Sequence, residues 1–157
     1  RDCLLSRGLG DVYKRQTTGR VRSVVLPNGK RFTWFVDPHF HPTRLVDIAF
    51  TGLPEQVVPG DTLRLTLRIS NPYPYAIGVC GDRSLVMLWK HGRFRVEEFD
   101  TGEHFNIPAG DTITREVRFV VPEQLSGAGF DAGFALRRDG YTNWFNGKPL
   151  RTEVVAP

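Results

Sequence analysis

The side chains best suited to chemistry in this sequence are aromatic. Trp34-Phe35 and Trp144-Phe145 are adjacent pairs. Neighbours on a β-strand point to opposite faces, so one ring of each pair should face outward. An exposed indole beside amides and hydroxyls offers a sugar a flat apolar surface with hydrogen-bonding groups around it. The alternative, which we favour, is that these rings cover sheet edges or pack against another domain. The candidate ligand-binding residues are Trp34, Tyr73, Tyr75, Tyr141, Asn143 and Trp144.

Metal-binding groups are few and badly spaced. His39 and His41 are two residues apart and would share one side of an extended segment. Zinc takes four ligands, however, and the other two histidines are distant in sequence. We expect a solvated linker there. The carboxylates between Glu97 and His104 lack the alternate spacing of a calcium loop, so a solvated turn is expected. The sequence predicts no metal and no cofactor.

A small hydrolase is the least favoured function. Gly81-Asp82-Arg83-Ser84 is similar to the Gly-Asp-Ser of lipase-like hydrolases, but Arg83 interrupts the motif. A nucleophilic serine also needs a base and a group that orients the base, and the chain contains no Asp-x-x-His. No catalytic residue is therefore predicted, and we do not expect an enzyme.

Alternation with period two is the main secondary-structure signal. Residues 63–70 alternate four apolar with four polar side chains, which predicts a half-buried antiparallel strand. Residues 84–90 are apolar on both sides, which predicts a central strand with Trp89 in the core. Arg115 interrupts an apolar face, which places it near a sheet end. Further strands are predicted at 20–26, 31–37, 45–50, 93–99, 113–121, 130–136, 141–145 and 150–155.

Turn signals between these strands predict an all-β fold. Asn28-Gly29 and His91-Gly92 each stand between two strand patterns and predict hairpins, and Asn146-Gly147 predicts a turn into the last strand. Short strands with regularly spaced turns indicate an antiparallel β-sandwich. The first hairpin would be an addition at its N-terminal side.

Residues 1–16 resemble a translated sequencing adapter. Residues 11–16, Asp-Val-Tyr-Lys-Arg-Gln, match GAT GTG TAT AAG AGA CAG at the end of a transposase adapter, and residues 3–5 match its opposite sense. We exclude residues 1–16 from fold reasoning as a disordered artefact. Residues 17–41 are predicted to be a hairpin and linker, which we take as the end of a lost upstream domain. Residues 42–157 are predicted to be the sandwich domain.

The charge and cysteine content of the sequence limit which binding partners and which disulfide bonds we expect. Without residues 1–16 the net charge falls from +4 to +2, since four basic and two acidic residues lie there. The remaining basic residues alternate with other residues along the chain, which we interpret as dispersed, so no nucleic-acid partner is predicted. Cys80 would have no partner for a disulfide. No apolar run is long enough for a membrane span.

Residues 53–71 resemble bacterial immunoglobulin-like or adhesion-type domains. Their sequence is Leu-Pro-Glu-Gln-Val-Val-Pro-Gly-Asp-Thr-Leu-Arg-Leu-Thr-Leu-Arg-Ile-Ser-Asn. In those domains, a Pro-Gly-Asp turn precedes a strand that ends in Asn. The resemblance implies an immunoglobulin-like sandwich that is a non-catalytic accessory module. We expect it at the C-terminus of a larger truncated bacterial protein, packing against the missing upstream domain, in an extracytoplasmic compartment. The alternative is a carbohydrate-binding module with a glycan partner.

Overall fold

A computed structural model describes residues 21–25, 28–35, 43, 45–81, 83–93, 95–138 and 144–157. All regular elements within these residues are β-strands, which confirms the all-β prediction. The described residues contain no helix of the length and apolarity that a membrane crossing requires. In chain order the strands are β1 (Val21–Val25), β2 (Arg31–Phe35), β3 (Asp47–Thr51), β4 (Gln56–Val57), β5 (Thr62–Ser70), β6 (Ile77–Val79), β7 (Arg83–His91), β8 (Arg95–Asp100), β9 (Phe105–Ile107), β10 (Thr112–Val120), β11 (Ala128–Arg138) and β12 (Leu150–Val154).

Two larger sheets and two small ones contain these strands. The three-stranded sheet has the order β10-β5-β3 and is antiparallel throughout. The five-stranded sheet has the order β4-β12-β11-β7-β8, in which only the short β4 pairs in parallel. β1 pairs with β2, and β6 pairs with β9, in separate two-stranded sheets.

Strand β5 shows how the sequence produces this arrangement. Its apolar residues are buried and the residues between them are exposed, as period-two alternation requires. The turn before it uses Gly60 at a φ of 89°, a backbone conformation that glycine adopts without steric cost. The Asp61 carboxylate accepts a hydrogen bond from the Val58 amide at 3.2 Å and tightens the same turn.

The inner faces of the two larger sheets pack against each other and form one apolar core. Trp89 on β7 stacks on Phe119 of β10 with ring centroids 6.3 Å apart. Phe50 on β3 meets Phe134 of β11 edge to face at 5.1 Å. These contacts cross from one sheet to the other, and rings at such distances add to the free energy of simple area burial. Trp89 is fully buried, as predicted.

A second, smaller apolar cluster lies on the opposite face of the five-stranded sheet. Val86, Leu88 and Ala135 are fully buried there, with Val96 and Phe145 packed against them. Strand β7 therefore buries side chains on both faces, which explains its uninterrupted apolar sequence and confirms its prediction as a central strand.

Asn146, at the predicted turn before the last strand, is a buried residue. Its side-chain amide donates to the backbone carbonyls of Thr43 (2.7 Å) and Val46 (2.9 Å). Its side-chain oxygen accepts from the Leu136 amide at 2.8 Å. Gly147 follows at a φ of 115°, and a Cβ there would collide with the Ile48 carbonyl. The chain thus bends at Asn146-Gly147 before β12, and the bend is held by these tertiary contacts as well as by local turn chemistry.

Three sequence expectations differ from the structure. The predicted strand at 141–145 is not formed over its described part, since residues 144 and 145 are irregular. Cys80 is disulfide-bonded, with a partner outside the described residues, so the expectation of an unpaired thiol is wrong. Arg115 lies in the middle of β10, opposite Leu67, rather than near a sheet end.

The N-terminal hairpin forms as predicted. β1 and β2 pair antiparallel from Val21 opposite Phe35 to Val25 opposite Arg31. Asn28 accepts the Lys30 amide through its side chain at 3.0 Å in the connecting turn. Assignment of residues 17–41 to a lost upstream domain, the artefact origin of residues 1–16 and the immunoglobulin-like arrangement stay predictions.

Replacing Asn146 with alanine should lower the free energy of unfolding by about 3 kcal/mol. The change leaves two buried carbonyls and one buried amide without partners, and each such group costs about 1–3 kcal/mol. Urea unfolding followed by far-ultraviolet circular dichroism measures the loss. Asn28→Ala, in the exposed hairpin turn, is the matched control. A loss below about 0.5 kcal/mol for Asn146→Ala would contradict this account.

Candidate functional site

Two residues of the predicted aromatic platform, Tyr73 and Tyr75, have their rings in the core. Tyr73 and Tyr75 are 0% and 5% exposed. They stack on each other with centroids 5.2 Å apart, and the Tyr73 hydroxyl accepts a hydrogen bond from the Leu45 amide at 3.1 Å. Rings at this depth cannot stack on a sugar.

The Asn71 side chain holds this loop against the core. Its amide nitrogen donates to the carbonyls of Tyr75 (2.9 Å), Ile107 (3.2 Å) and Pro108 (3.1 Å). Its oxygen accepts from the Tyr73 amide at 3.0 Å. The prolines around the tyrosines suggest a stiff exposed loop, but a buried amide with four partners turns the segment inward.

The other candidate residues give no common surface within the described part of the chain. Trp144 is half-buried and lies two residues before the buried Asn146. Trp34 lies on β2, where only its backbone position is described. Tyr141 and Asn143 lie outside the described residues, as do His39 and His41.

Several of the polar residues considered for catalysis or metal binding lie within strands β7 and β8. Arg83 is buried and Ser84 is half-buried within β7, so neither stands on an exposed turn like a nucleophile. Glu98 lies on β8 and forms an ion pair with Arg137 rather than belonging to a solvated turn. Among the described residues, no three His, Cys, Asp or Glu side chains are close enough to hold a metal ion.

The outer face of the three-stranded sheet concentrates positive charge. Arg64 and Arg68 are exposed on the central strand β5, and Arg118 is exposed on β10. The antiparallel register places Arg118 directly opposite Arg64. We call these three residues the arginine face. Threonines surround them on the same side of the sheet, at positions 62, 66, 112 and 114.

The arginine face is electrostatically unsatisfied. Directly opposed residues on an antiparallel pair have Cβ atoms about 5 Å apart, and like charges at that distance repel. None of the ion pairs among the described residues includes Arg64, Arg68 or Arg118. Glu116 on β10 and Asp47 on β3 are the nearest carboxylates in register, and neither is in one of these ion pairs.

A groove of 370 Å³ runs beside these residues. Its lining includes Arg64, Arg118, Glu116 and Glu103. The Glu103 carboxylate accepts from the Arg115 guanidinium at 3.2 Å, which compensates its charge. The uncompensated groups at the groove are therefore two guanidinium groups and one carboxylate.

Sequence reasoning missed the arginine face by treating alternating basic residues as dispersed. Alternation has the opposite effect on a strand, since residues two and four apart share one face. Arg64 and Arg68 are thus neighbours on the surface, and the register adds Arg118 from a strand about fifty residues later. The pairing of Arg64 with Arg68 on one face could therefore have been recognised from the alternation in residues 63–70.

Comparison with known proteins finds likeness in structure and none in sequence. No protein-family model matches the chain, and no curated protein is similar to it in sequence. Among solved structures, it is similar to Pseudomonas fluorescens alkylpurine DNA glycosylase AlkC bound to DNA containing an abasic site analog. The identity is 12% and the TM-score 0.44, with 71% of this chain and 31% of that chain covered.

This finding contradicts two predictions made from the sequence. They are the non-catalytic accessory module packed on a missing upstream domain and the exclusion of nucleic acid, and we withdraw both. The glycan alternative is withdrawn with them, since Tyr73 and Tyr75 are buried. A likeness this distant carries no argument about ligands. What this chain binds has to be inferred from its own residues.

Replacing Arg118 with glutamine should stabilise the protein. Removing one member of the opposed pair relieves repulsion of about 0.5 kcal/mol at about 20 mM salt, and the gain should vanish near 1 M, where screening extends only about 3 Å. Thermal and urea unfolding at both salt concentrations measure the change. Arg93→Gln, exposed in the turn between β7 and β8, is the control. Equal effects from both variants would show that the pairing with Arg64 is irrelevant.

Proposed function

We propose that this chain is a nucleic-acid-binding β-sandwich module that contacts the phosphate backbone of a duplex through the arginine face. The proposal concerns binding and assigns no reaction. It rests on the sheet's exposed side chains, their register and their missing ion pairs, and not on the distant likeness described above.

The observation that carries the proposal is the opposed pair of Arg64 and Arg118. Two facing guanidinium groups with no carboxylate in an ion pair favour an anion between them. A phosphate suits the position because it accepts paired hydrogen bonds from planar guanidinium groups and offsets both charges. Binding of a phosphate thus removes the repulsion that the free protein carries.

The spacing along β5 agrees with a duplex. Arg64 and Arg68 are four residues apart on one strand, which corresponds to about 13 Å. The major groove of B-form DNA is about 12 Å wide. The two arginines can therefore reach phosphates on both sides of one groove, while Arg118 contacts the same phosphate as Arg64.

The side chains around the arginines favour backbone contacts over contacts with bases. The threonine hydroxyls on the same face are donors of the kind that bind phosphate oxygens. The described residues of this face in β5 and β10 include no aromatic ring for unstacked bases. Affinity should therefore depend on salt and hardly on base sequence.

The double variant Arg64→Gln, Arg118→Gln should bind duplex DNA at least tenfold more weakly than the unchanged protein. Two phosphates, one bound by Arg64 with Arg118 and one bound by Arg68, predict a slope of log K against log salt of about −2, and the one phosphate that the variant still binds predicts about −1. Fluorescence anisotropy with a labelled duplex of about 20 base pairs, titrated over a range of salt concentrations, gives both quantities.

The matched control is Arg95→Gln, Arg151→Gln, which removes the same charge from the five-stranded sheet. Both arginines are in ion pairs there, with Glu97 and Asp131. If the control lowers affinity as much as the first double variant, net charge governs binding. The arginine face would then not be the site. No measurable duplex binding by the unchanged protein would overturn the proposed function altogether.

Glu116→Gln should raise affinity for the same duplex by about threefold. Glu116 lines the groove beside Arg64 and Arg118 and repels a bound phosphate. Anisotropy at low salt measures the gain, and Glu123→Gln, at an exposed turn elsewhere, is the control. A loss of affinity would show that the carboxylate takes part in binding and that the orientation proposed here is wrong.

A further inference from the structure

Two Asn-Gly pairs occur in the sequence, Asn28-Gly29 and Asn146-Gly147. An asparagine followed by glycine can lose its side-chain amide in water, because the next backbone nitrogen attacks the side-chain carbonyl carbon and glycine has no side chain to obstruct it. The fold places the two pairs in opposite surroundings. Asn28 and Gly29 are exposed in the turn between β1 and β2, whereas Asn146 is 1% exposed.

The backbone at Asn28 favours this reaction. Gly29 has a φ of 79°, and a Cβ at Gly29 would meet nothing within 4 Å, so the space around the attacking residue is open. The Gly29 amide donates no hydrogen bond to another described residue. The nitrogen that attacks is therefore available to solvent base, and nothing described has to move before it reacts.

The Lys30 amide makes the carbonyl carbon of the Asn28 side chain more reactive. It donates a hydrogen bond to Oδ1 of Asn28 at 3.0 Å. A donor at this oxygen stabilises the negative charge that develops on it during the attack, as a donor in an oxyanion hole does. The same bond holds the side chain against the backbone that follows it, in the manner of an Asx turn. Asn28 is thus both held in place and polarised.

The Asn146 side chain is instead bound on both of its polar atoms inside the core. Its oxygen accepts from the Leu136 amide. Its nitrogen, which would have to leave, donates to the carbonyls of Thr43 and Val46. Water and base reach this side chain only when the segment opens, and opening breaks all three bonds. The buried pair is therefore protected from the reaction to which the exposed pair is open.

We propose that Asn28 is a site of spontaneous deamidation and isoaspartate formation in the folded protein, with water as the only co-reactant. The Gly29 nitrogen loses its proton to solvent base and forms a bond to Cγ of Asn28. The bond from Cγ to Nδ2 breaks, and the nitrogen takes up a proton and leaves as ammonia. Water then opens the cyclic imide. Opening at Cγ gives aspartate, and opening at the backbone carbonyl gives isoaspartate.

Both products change the hairpin. Each adds a negative charge next to Lys30 and Arg31. Isoaspartate also directs the main chain through Cγ, which lengthens the turn by an extra carbon atom. The register of β1 and β2, with Val25 opposite Arg31, depends on the length of that turn. Isoaspartate at position 28 should therefore weaken this pairing. The inference goes beyond the proposed function and involves no residue of the arginine face.

Incubation of the folded protein in mildly alkaline buffer, followed by peptide mass spectrometry at intervals, measures the reaction at both pairs. Methyl transfer from S-adenosylmethionine by an isoaspartyl methyltransferase identifies isoaspartate. Asn28 should react at least about a hundredfold faster than Asn146, because only Asn146 requires opening of the structure. In concentrated urea both pairs are unfolded, and the difference should fall to about threefold or less.

Lys30→Pro removes the backbone donor to Oδ1 of Asn28 and should slow the reaction by about threefold or more. Lys30→Ala is the matched control, since it removes the side chain and keeps the amide, and its rate should stay close to that of the unchanged protein. Asn28→Gln should abolish the fast reaction, which assigns that reaction to this residue.

Equal rates at Asn28 and Asn146 in the folded protein would overturn the proposal, and that measurement needs no variant to fold. A fast reaction that persists in Asn28→Gln would also overturn it. Equal rates in Lys30→Pro and Lys30→Ala would refute the part of the proposal in which the Lys30 amide activates the side-chain carbonyl.

Discussion

One buried amide joins the two larger sheets of this protein. The backbone of Asn146 donates to the Phe134 carbonyl on β11 and accepts from the Ile48 amide on β3, both at 2.8 Å. Its side chain accepts a hydrogen bond from the Leu136 amide in the five-stranded sheet. It also donates one to the Val46 carbonyl, next to the three-stranded sheet. Apolar packing between sheets is non-directional, whereas these bonds fix which residues face each other. The core contacts and the outer faces depend on that alignment.

Local pattern was sufficient for most of the strands and insufficient for the contacts between sheets. Residues 63–70 could be assigned because their alternation reflects a strand that is buried on one face. Residues 84–90 could be assigned because their continuous apolar run reflects a strand that is buried on both faces. The role of Asn146 could not be foreseen, since its side chain reaches carbonyls about a hundred residues earlier. The inward turn of Tyr73 and Tyr75 has the same origin, because Asn71 bonds to Ile107 and Pro108 from a distant segment. Nothing local to these residues specifies such partners.

The candidate site was hidden for a different reason. Its residues are arginines and threonines of ordinary strands, and what distinguishes them is cross-strand register. Arg64 and Arg118 become a pair only when β5 and β10 align from Thr62 opposite Val120 to Ser70 opposite Thr112. Composition reports net charge, which is small here, but the surface potential depends on where charges stand. A sheet with one buried and one exposed face can therefore carry a charged surface although the net charge of the chain is small.

Arg115 has a consequence for how this protein behaves in concentrated solution. Strand β10 borders the three-stranded sheet and has no neighbour beyond it among the described strands. A nine-residue border strand would offer its unpaired amides and carbonyls to another polypeptide and promote fibrous aggregation. The Arg115 guanidinium lies over the Phe105 ring at 4.8 Å, at the middle of that border. An incoming strand would have to desolvate this charge, so Arg115 protects the border against self-association.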